Sequence, residues 1–310
     1  MLFRSNWTVN EIPNLTGKIA LITGANSGIG YEAAKEFSRK GAHTILATRS
    51  VAKGTDTEKR IRAEIPDAKL EPMVLDLASL KSVRAFADTF NATHTRLDLL
   101  INNAGIMMVP YGTTEDGFEQ QFGTNHLGHF ALTGMLIDLL LKTPNARVVN
   151  VSSNAHRFAD LDFDNLMFDN EEAYTPMKSY GNSKLANLLF TYEMQRLLEA
   201  QNANMIAVAA HPGISTTNLA NHLAHPFLMK TLTPLFSWML QDAAMGALPS
   251  IRAAVDPNVV GGQYFGPDGR NQQKGYPVVV PSNDASHKTE DARRLWEVSE
   301  ELTGVSLLNA

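Results

Sequence analysis

Cysteine is absent from all 310 residues. That excludes disulfide bridges, a thiolate nucleophile and any thiolate metal site. Long apolar runs are missing too. The richest stretch, Leu132 to Leu141, is interrupted by Asp138 and falls well short of the ~20 residues a membrane span requires. It reads as a buried helix. Positive charge is in deficit, with 27 Lys and Arg against 32 Asp and Glu and a formal net charge of −5, so there is no basic footprint for nucleic acid. The opening residues, Met1 to Gly17, hold no apolar core of signal-peptide length, and a cytoplasmic location is expected. What is present, 44% hydrophobic and 19% charged residues, can bury a substantial core. No repeat, low-complexity run or linker divides the chain, and one domain over residues 1–310 is the expectation.

The chain is organised around Ile19–Gly30, reading IALITGANSGIG. A short apolar run enters Thr23, then Gly24, Gly28 and Gly30, and a helical pattern follows to Lys40. Strand, glycine turn and helix together offer backbone N–H groups and a positive helix end to a diphosphate. The same alternation continues. Strands are expected at Lys18–Thr23, His43–Thr48, Leu70–Leu75, Leu97–Ile101, Arg147–Val151, Met205–Ala210 and Gly262–Phe265. Helices are expected between them, including one long helix from Phe118 to Leu141 and an amphipathic tail helix over Thr289–Thr303. Strands apolar on both faces and separated by helices predict an α/β fold with a doubly wound, mostly parallel seven-stranded sheet covered on both sides. Two segments break the rhythm. Residues 154–179 are acidic and read as a rim insertion, and about 214–238 mix histidine, proline and large apolar side chains as a cover over a pocket. The stretch Gly266–Pro281 reads as turns.

In such sheets ligands bind beyond the C-terminal ends of the strands, and those ends are unusually polar here. They carry the glycine turn, Thr48–Arg49, Asp76, Asn102–Gly105, Ser152–Ser153 and His211–Gly213. Tyr180 and Lys184, four residues apart, share one helix face. A phenol with a free pKa of about 10 needs help to act near neutrality, and a neighbouring ammonium supplies it. An exposed Tyr and Lys on an amphipathic helix is the plain alternative. His126, His129, His156 and His211 lie in separate motifs without an acidic partner at ligand spacing, so no metal is expected.

Taken together these motifs resemble the short-chain dehydrogenase/reductase family over nearly the whole chain. Thr23-Gly24-Ala25-Asn26-Ser27-Gly28-Ile29-Gly30 is similar to its TGxxxGxG loop and Asn102-Asn103-Ala104-Gly105 to its NNAG. Ser153, Tyr180 and Lys184 match its catalytic set, completed by Asn125, and Pro212-Gly213 with Ile214 and Thr216 match the segment touching the carboxamide end of the cofactor. The stretches Gly123–Phe130, Val151–His156 and Ser183–Asn187 resemble the retinol-dehydrogenase-like branch, in its bacterial form. The resemblance implies a Rossmann-type fold and a hydride transfer between a nicotinamide and a carbonyl or alcohol. Tyr180 would be the general acid or base, Lys184 would lower its pKa and hold the ribose, and Ser153 would orient the substrate oxygen. Asn125 would hold a water or a backbone bend beside Lys184. It also implies that Thr23, Gly24, Asn26, Ser27, Gly28, Ile29, Gly30, Asn103, Ala104 and Gly105 contact the cofactor, with Asp76 and Leu77 along the adenine and Val109 and Pro110 near the nicotinamide.

The end of the second strand carries Arg49, not an acid. A guanidinium suits a 2′-phosphate, which favours NADP(H) over NAD(H). The apolar residues of the cover, among them Leu219, Leu223, Phe227 and Trp238, favour a small lipophilic aldehyde, ketone or alcohol, or else mark a contact surface. The family habit implies a homodimer or homotetramer through Leu127–Leu141 and Leu185–Leu198. Two rival classes remain at this stage, a regulatory protein that binds NAD(P) without turnover and an NAD-retaining epimerase or isomerase of the same fold.

Overall fold

The computed structural model describes residues 6–168, 171–214 and 241–308. Eight strands among them form one sheet in the order β3-β2-β1-β4-β5-β6-β7-β8. They are β1 Ile19–Thr23, β2 His43–Thr48, β3 Lys69–Val74, β4 Leu99–Asn102, β5 Ala146–Val151, β6 Met205–Ala210, β7 Tyr264–Pro267 and β8 Pro277–Val279. Neighbours pair in parallel up to β7, and β8 alone runs antiparallel. Parallel strands require crossovers, and these are helical: α1 Gly28–Arg39, α2 Val51–Glu64, α3 Leu80–Thr93, α4 Gly128–Met135, α5 Ile137–Lys142, α6 Pro176–Ala200 and α7 Ala243–Val255, followed by α8 Thr289–Thr303.

Successive strand residues face opposite layers, which is why the central strands β1, β4, β5 and β6 bury apolar residues on both faces. Leu21, Ile45, Leu100, Val148 and Ala207 enter one core with Phe86 and Phe90 of α3, Phe130 of α4 and Phe190 of α6. Their neighbours Ile22, Leu46, Ile101, Val149 and Val208 enter the other, with Phe37 of α1 and Ile251 of α7. Each such fully buried side chain contributes roughly 1.5–3 kcal/mol relative to exposure. The strand order reverses between β1 and β4, and the cleft described below opens beyond that switch point.

Three expectations need correction. The sheet has eight strands, not seven, because Pro277–Val279 pairs with β7; the short valine run there is hidden among the Gly, Pro and turn residues around it. The helix expected over Phe118–Leu141 is broken. A helical turn at Gln120–Phe122 leads into one π turn, Gly123–Leu127, then α4, and Leu136 interrupts the helix again with φ −106 and ψ 1. A continuous apolar pattern does not reveal a wider turn, because the pattern survives it. The N-terminal arm is not simply polar, since Trp7, Ile12 and Leu15 are buried against the α1 and α7 layer. Most of the cover segment, including Thr216 and the apolar residues named from Leu219 to Trp238, lies outside the described residues.

Candidate active site

The glycine turn after β1 folds as it does because two backbones pass within contact distance. A Cβ on Gly30 would lie 2.5 Å from both Gly24 O and Asn103 Nδ2, so only glycine fits. Asn103 closes the turn from the other side, with Nδ2 donating to Thr23 O at 2.8 Å. Thr23 Oγ1 is the hub. It accepts from the backbone N–H groups of Asn103 and Ala104, both at 2.9 Å, and lies 2.9 Å from His129 Nε2. His129 Nδ1 faces Asn125 O at 2.9 Å, so Nδ1 carries the proton and Nε2 accepts from the threonine hydroxyl. Burial keeps this imidazole neutral, pushing its pKa down to about 4. One polar thread thus joins β1, the turn after β4 and the π turn. Thr23→Val is expected to strand two backbone donors and to destabilise the protein by roughly 1–3 kcal/mol, read as a shift in urea midpoint at constant m-value.

Four helices begin with side-chain caps: Ser50 for α2, Ser79 for α3, Thr175 for α6 and Asp242 for α7. At α1 the N-cap, Ser27, makes no such bond. The amides opening α1 therefore remain available, with the positive end of the helix dipole, to an anion in the cleft.

The cleft encloses about 620 Å³. Its walls bring together the sequence-predicted Thr23, Gly24, Asn26, Ser27, Gly28, Ile29, Gly30, Arg49, Asp76, Leu77, Asn103, Ala104, Gly105, Ser153, Tyr180, Lys184, Pro212, Gly213 and Ile214. Val109 and Pro110 do not line it. Val109 is buried, and its carbonyl accepts from Tyr174 Oη at 2.7 Å. Gly213 has φ +68, and a Cβ there would sit 2.2 Å from Gln273 O. The turn between β6 and the residues that follow is held to that loop by Ile214 N–H donating to Gln273 O at 2.7 Å.

Arg49 is exposed at the cleft edge and has no hydrogen-bond or ion-pair partner among the described residues. Lys53, in the first turn of α2, lines the same corner. Sequence reasoning passed over Lys53, although a second cation one helical turn beyond Arg49 was a visible signal. Ile106, Met107, Gln120 and Thr124 also line the cleft without having been foreseen. Thr124 Oγ1 is buried and has no partner, an acceptor and donor left for a ligand.

Tyr180 and Lys184 lie one turn apart on α6 and face this space, with Lys184 Nζ 5.7 Å from the Tyr180 ring centre. Lys184 Nζ donates to Val151 O at 3.1 Å, a carbonyl that also accepts from Asn187 Nδ2 at 3.1 Å. Burial pushes the lysine pKa down to about 8. Burial also pushes the Tyr180 phenol up to about 12, opposed by its hydrogen bond with Ser153. In the chain alone, then, burial outweighs the hydrogen bond to Ser153, and the phenol holds its proton at neutral pH. Asn125 is fully buried behind the cleft wall. Its Oδ1 accepts from Ile106 N–H at 2.8 Å, and its Nδ2 donates to Ile106 O and Ser183 Oγ, both at 2.9 Å. It pins the loop after β4 to the residue beside Lys184. His156, neutral with a pKa pushed to about 4 by burial, holds Ser153 O through Nδ1 at 2.6 Å.

These residues fit a dinucleotide. Uncapped amides would receive a diphosphate, Arg49 and Lys53 would receive a further phosphate, and Tyr180, Lys184 and Ser153 line the same cleft.

Residues 18–163 match the short chain dehydrogenase family model. Human retinol dehydrogenase 14 is 43% identical over 305 residues, covering 93% of this chain and 87% of that protein. Mouse retinol dehydrogenase 12 is 41% identical over 293 residues, covering 94% and 88%. Among solved structures, an uncharacterised protein from Mycobacterium paratuberculosis superposes with a TM-score of 0.82 at 38% identity, covering 99% of this chain and 100% of the other.

Proposed function

This chain belongs to the short-chain dehydrogenase family, and we propose that it is an NADPH-dependent reductase of small lipophilic carbonyl compounds, with Tyr180 as the proton donor. The observation that carries the proposal is the placement of a protonated phenol, a serine hydroxyl and a buried ammonium in one cleft that Arg49 and Lys53 also line. The bound dihydronicotinamide supplies the hydride. The protein's own part is positional and electrostatic. Ser153 Oγ and Tyr180 Oη hold the carbonyl oxygen, the phenol gives it a proton, and the product is an alcohol. Lys184 holds positive charge beside the phenolate left behind, and Asn125 is a positioning residue that fixes Ser183 and the Ile106 loop.

The substrate class rests on the mouth. Phe158, Met177 and Ile214 keep 86%, 51% and 37% of their surfaces exposed. Phe158 closes the turn that starts at Ser153, Met177 precedes Tyr180 by three residues on α6, and Ile214 lines the cleft. Exposed apolar side chains close in sequence to Ser153 and Tyr180, with Ile214 in the cleft wall, favour a greasy carbonyl compound, in keeping with the names of the two retinol dehydrogenases. In this reading the chain is one catalytic unit, and residues 154–179 border the substrate mouth. No described helix is long and apolar enough to cross a membrane. A cytoplasmic location and a homodimer or homotetramer belong to the same proposal, and cell fractionation and sedimentation test them. Leu127, Leu132, Leu136, Leu140, Leu185, Leu188 and Leu189 are buried inside the chain itself, so an interface would use other faces of those helices.

The cofactor preference is tested by fluorescence titration with NADPH and NADH. Wild type is expected to bind NADPH more tightly, and Arg49→Ala to lose roughly 1–3 kcal/mol of that difference. Equal affinities in wild type would sink the NADPH assignment. Turnover over a panel of apolar aldehydes and ketones tests the reaction class, and binding without oxidation of NADPH across the panel would return the reading to a regulatory protein.

A further inference from the structure

Three side chains from three elements meet at the end of the sheet away from the cleft. His43 opens β2, Glu71 lies on the edge strand β3, and His94 follows α3 as its C-cap. His43 Nε2 and His94 Nε2 lie 3.2 and 3.3 Å from the same atom, Glu71 Oε2. Among the described residues this is the one group of three His, Asp or Glu whose ligand atoms fall within 4.8 Å of one another. At ~3.3 Å per strand residue, His43 stands on the order of 16 Å from Thr48 and the cofactor corner.

The two nitrogens of His94 face different partners. Nδ1 lies 2.9 Å from Thr93 Oγ1 and 3.3 Å from Phe90 O, which leaves Nε2 to face Glu71 Oε2. His94 is 7% exposed at its side chain, and its ring is stacked on Phe90 at 4.3 Å, so it cannot swing clear.

We propose that His43 Nε2, Glu71 Oε2 and His94 Nε2 bind one divalent d-block cation of the Zn²⁺ type, with water completing the shell. Ligand atoms about 2.0–2.1 Å from a tetrahedral ion stand about 3.3 Å from each other, the separation seen on both edges to Glu71. Two imidazoles and one carboxylate are a ligand set that suits this ion. Thr93 and Phe90 O supply the outer hydrogen bonds that fix a ligating histidine. His43 and Glu71, about one-third exposed at their side chains, leave a path for entry. The ion ties the end of α3 to the β2–β3 edge of the sheet and takes no part in hydride transfer. It differs from the sequence expectation of no metal because the three residues are distant in the chain and meet only through strand pairing.

The test uses the full chain, stripped with a chelator, titrated with ZnCl₂ by calorimetry and with CoCl₂ by visible absorption near neutral pH. One ion per chain is expected, with the intense bands of four-coordinate Co²⁺ and a raised Tm on adding Zn²⁺. His43→Ala and Glu71→Gln, both at partly exposed positions, are each expected to weaken Zn²⁺ binding at least about tenfold while leaving dinucleotide affinity unchanged. Thr93→Val keeps all three ligands and is expected to weaken binding by a smaller factor. Absence of one-to-one Zn²⁺ binding, or binding equally tight in both ligand variants, would overturn the proposal and leave a proton shared among the three side chains.

Discussion

Tyr180→Phe is expected to lower carbonyl reduction by roughly 10²–10⁴-fold while leaving dinucleotide affinity unchanged. The substitution removes one oxygen and keeps the ring, which is 6% exposed and packed on its faces. The cradle of Gly24 and Gly30, the uncapped amides of α1 and the cations at Arg49 and Lys53 are untouched. What is lost is the proton. With its pKa pushed up to about 12 by burial, the phenol is an acid fully loaded at neutral pH, and no other hydroxyl in the cleft replaces it, because Ser153 is a far weaker acid. Steady-state rates with a saturating apolar aldehyde, paired with fluorescence titration of the cofactor, check both halves. A variant retaining a third of the wild-type rate would remove Tyr180 from the chemistry.

Lys184→Met is expected to have opposite effects on stability and activity. Unfolded, a lysine keeps its proton up to about pH 10.5; here burial lowers that to about 8. Between those values the unfolded chain binds more protons, so this site adds stability as pH rises through the window. Below about 8 the cost of holding a buried ammonium is present in full. Methionine has similar length, carries no charge, and leaves Val151 O still accepting from Asn187. Replacement of a buried ion by a packed apolar side chain gains roughly 1–4 kcal/mol in comparable cases. The gain should be greatest near pH 7 and shrink toward pH 10, as measured by urea unfolding at several pH values. Turnover should fall as steeply as in Tyr180→Phe, since nothing then offsets the phenolate. A loss of stability at pH 7 would show that the ammonium is better solvated than its burial implies.

Much of the architecture was legible because periodicity is a local property. A strand covered on both faces is mostly apolar along its length, and β2 and β6 fall where the pattern places them. Departures arise where the signal is short or its cause is not local. The brief valine run in Pro277–Val279 is hidden among turn residues and pairs with the edge of β7. The π turn at Gly123–Leu127 leaves the hydrophobic order of Phe122, Leu127 and Phe130 intact, yet it turns Asn125 toward Ile106 and Ser183. Asp160, Asp162, Asp164 and Glu172 are exposed, while Ala159, Leu166 and Tyr174 of the same stretch are buried.

Residue order alone determined the glycine turn, the polar strand ends and the helical spacing of Tyr180 and Lys184, because each is written within a few consecutive positions. Tertiary structure decided the rest. It buried Tyr180 and Lys184, pushing the phenol's pKa up to about 12 and the ammonium's down to about 8. It brought His43, Glu71 and His94 together from opposite ends of three elements. Burial and long-range juxtaposition depend on how elements pack against each other, and no window of sequence contains that information.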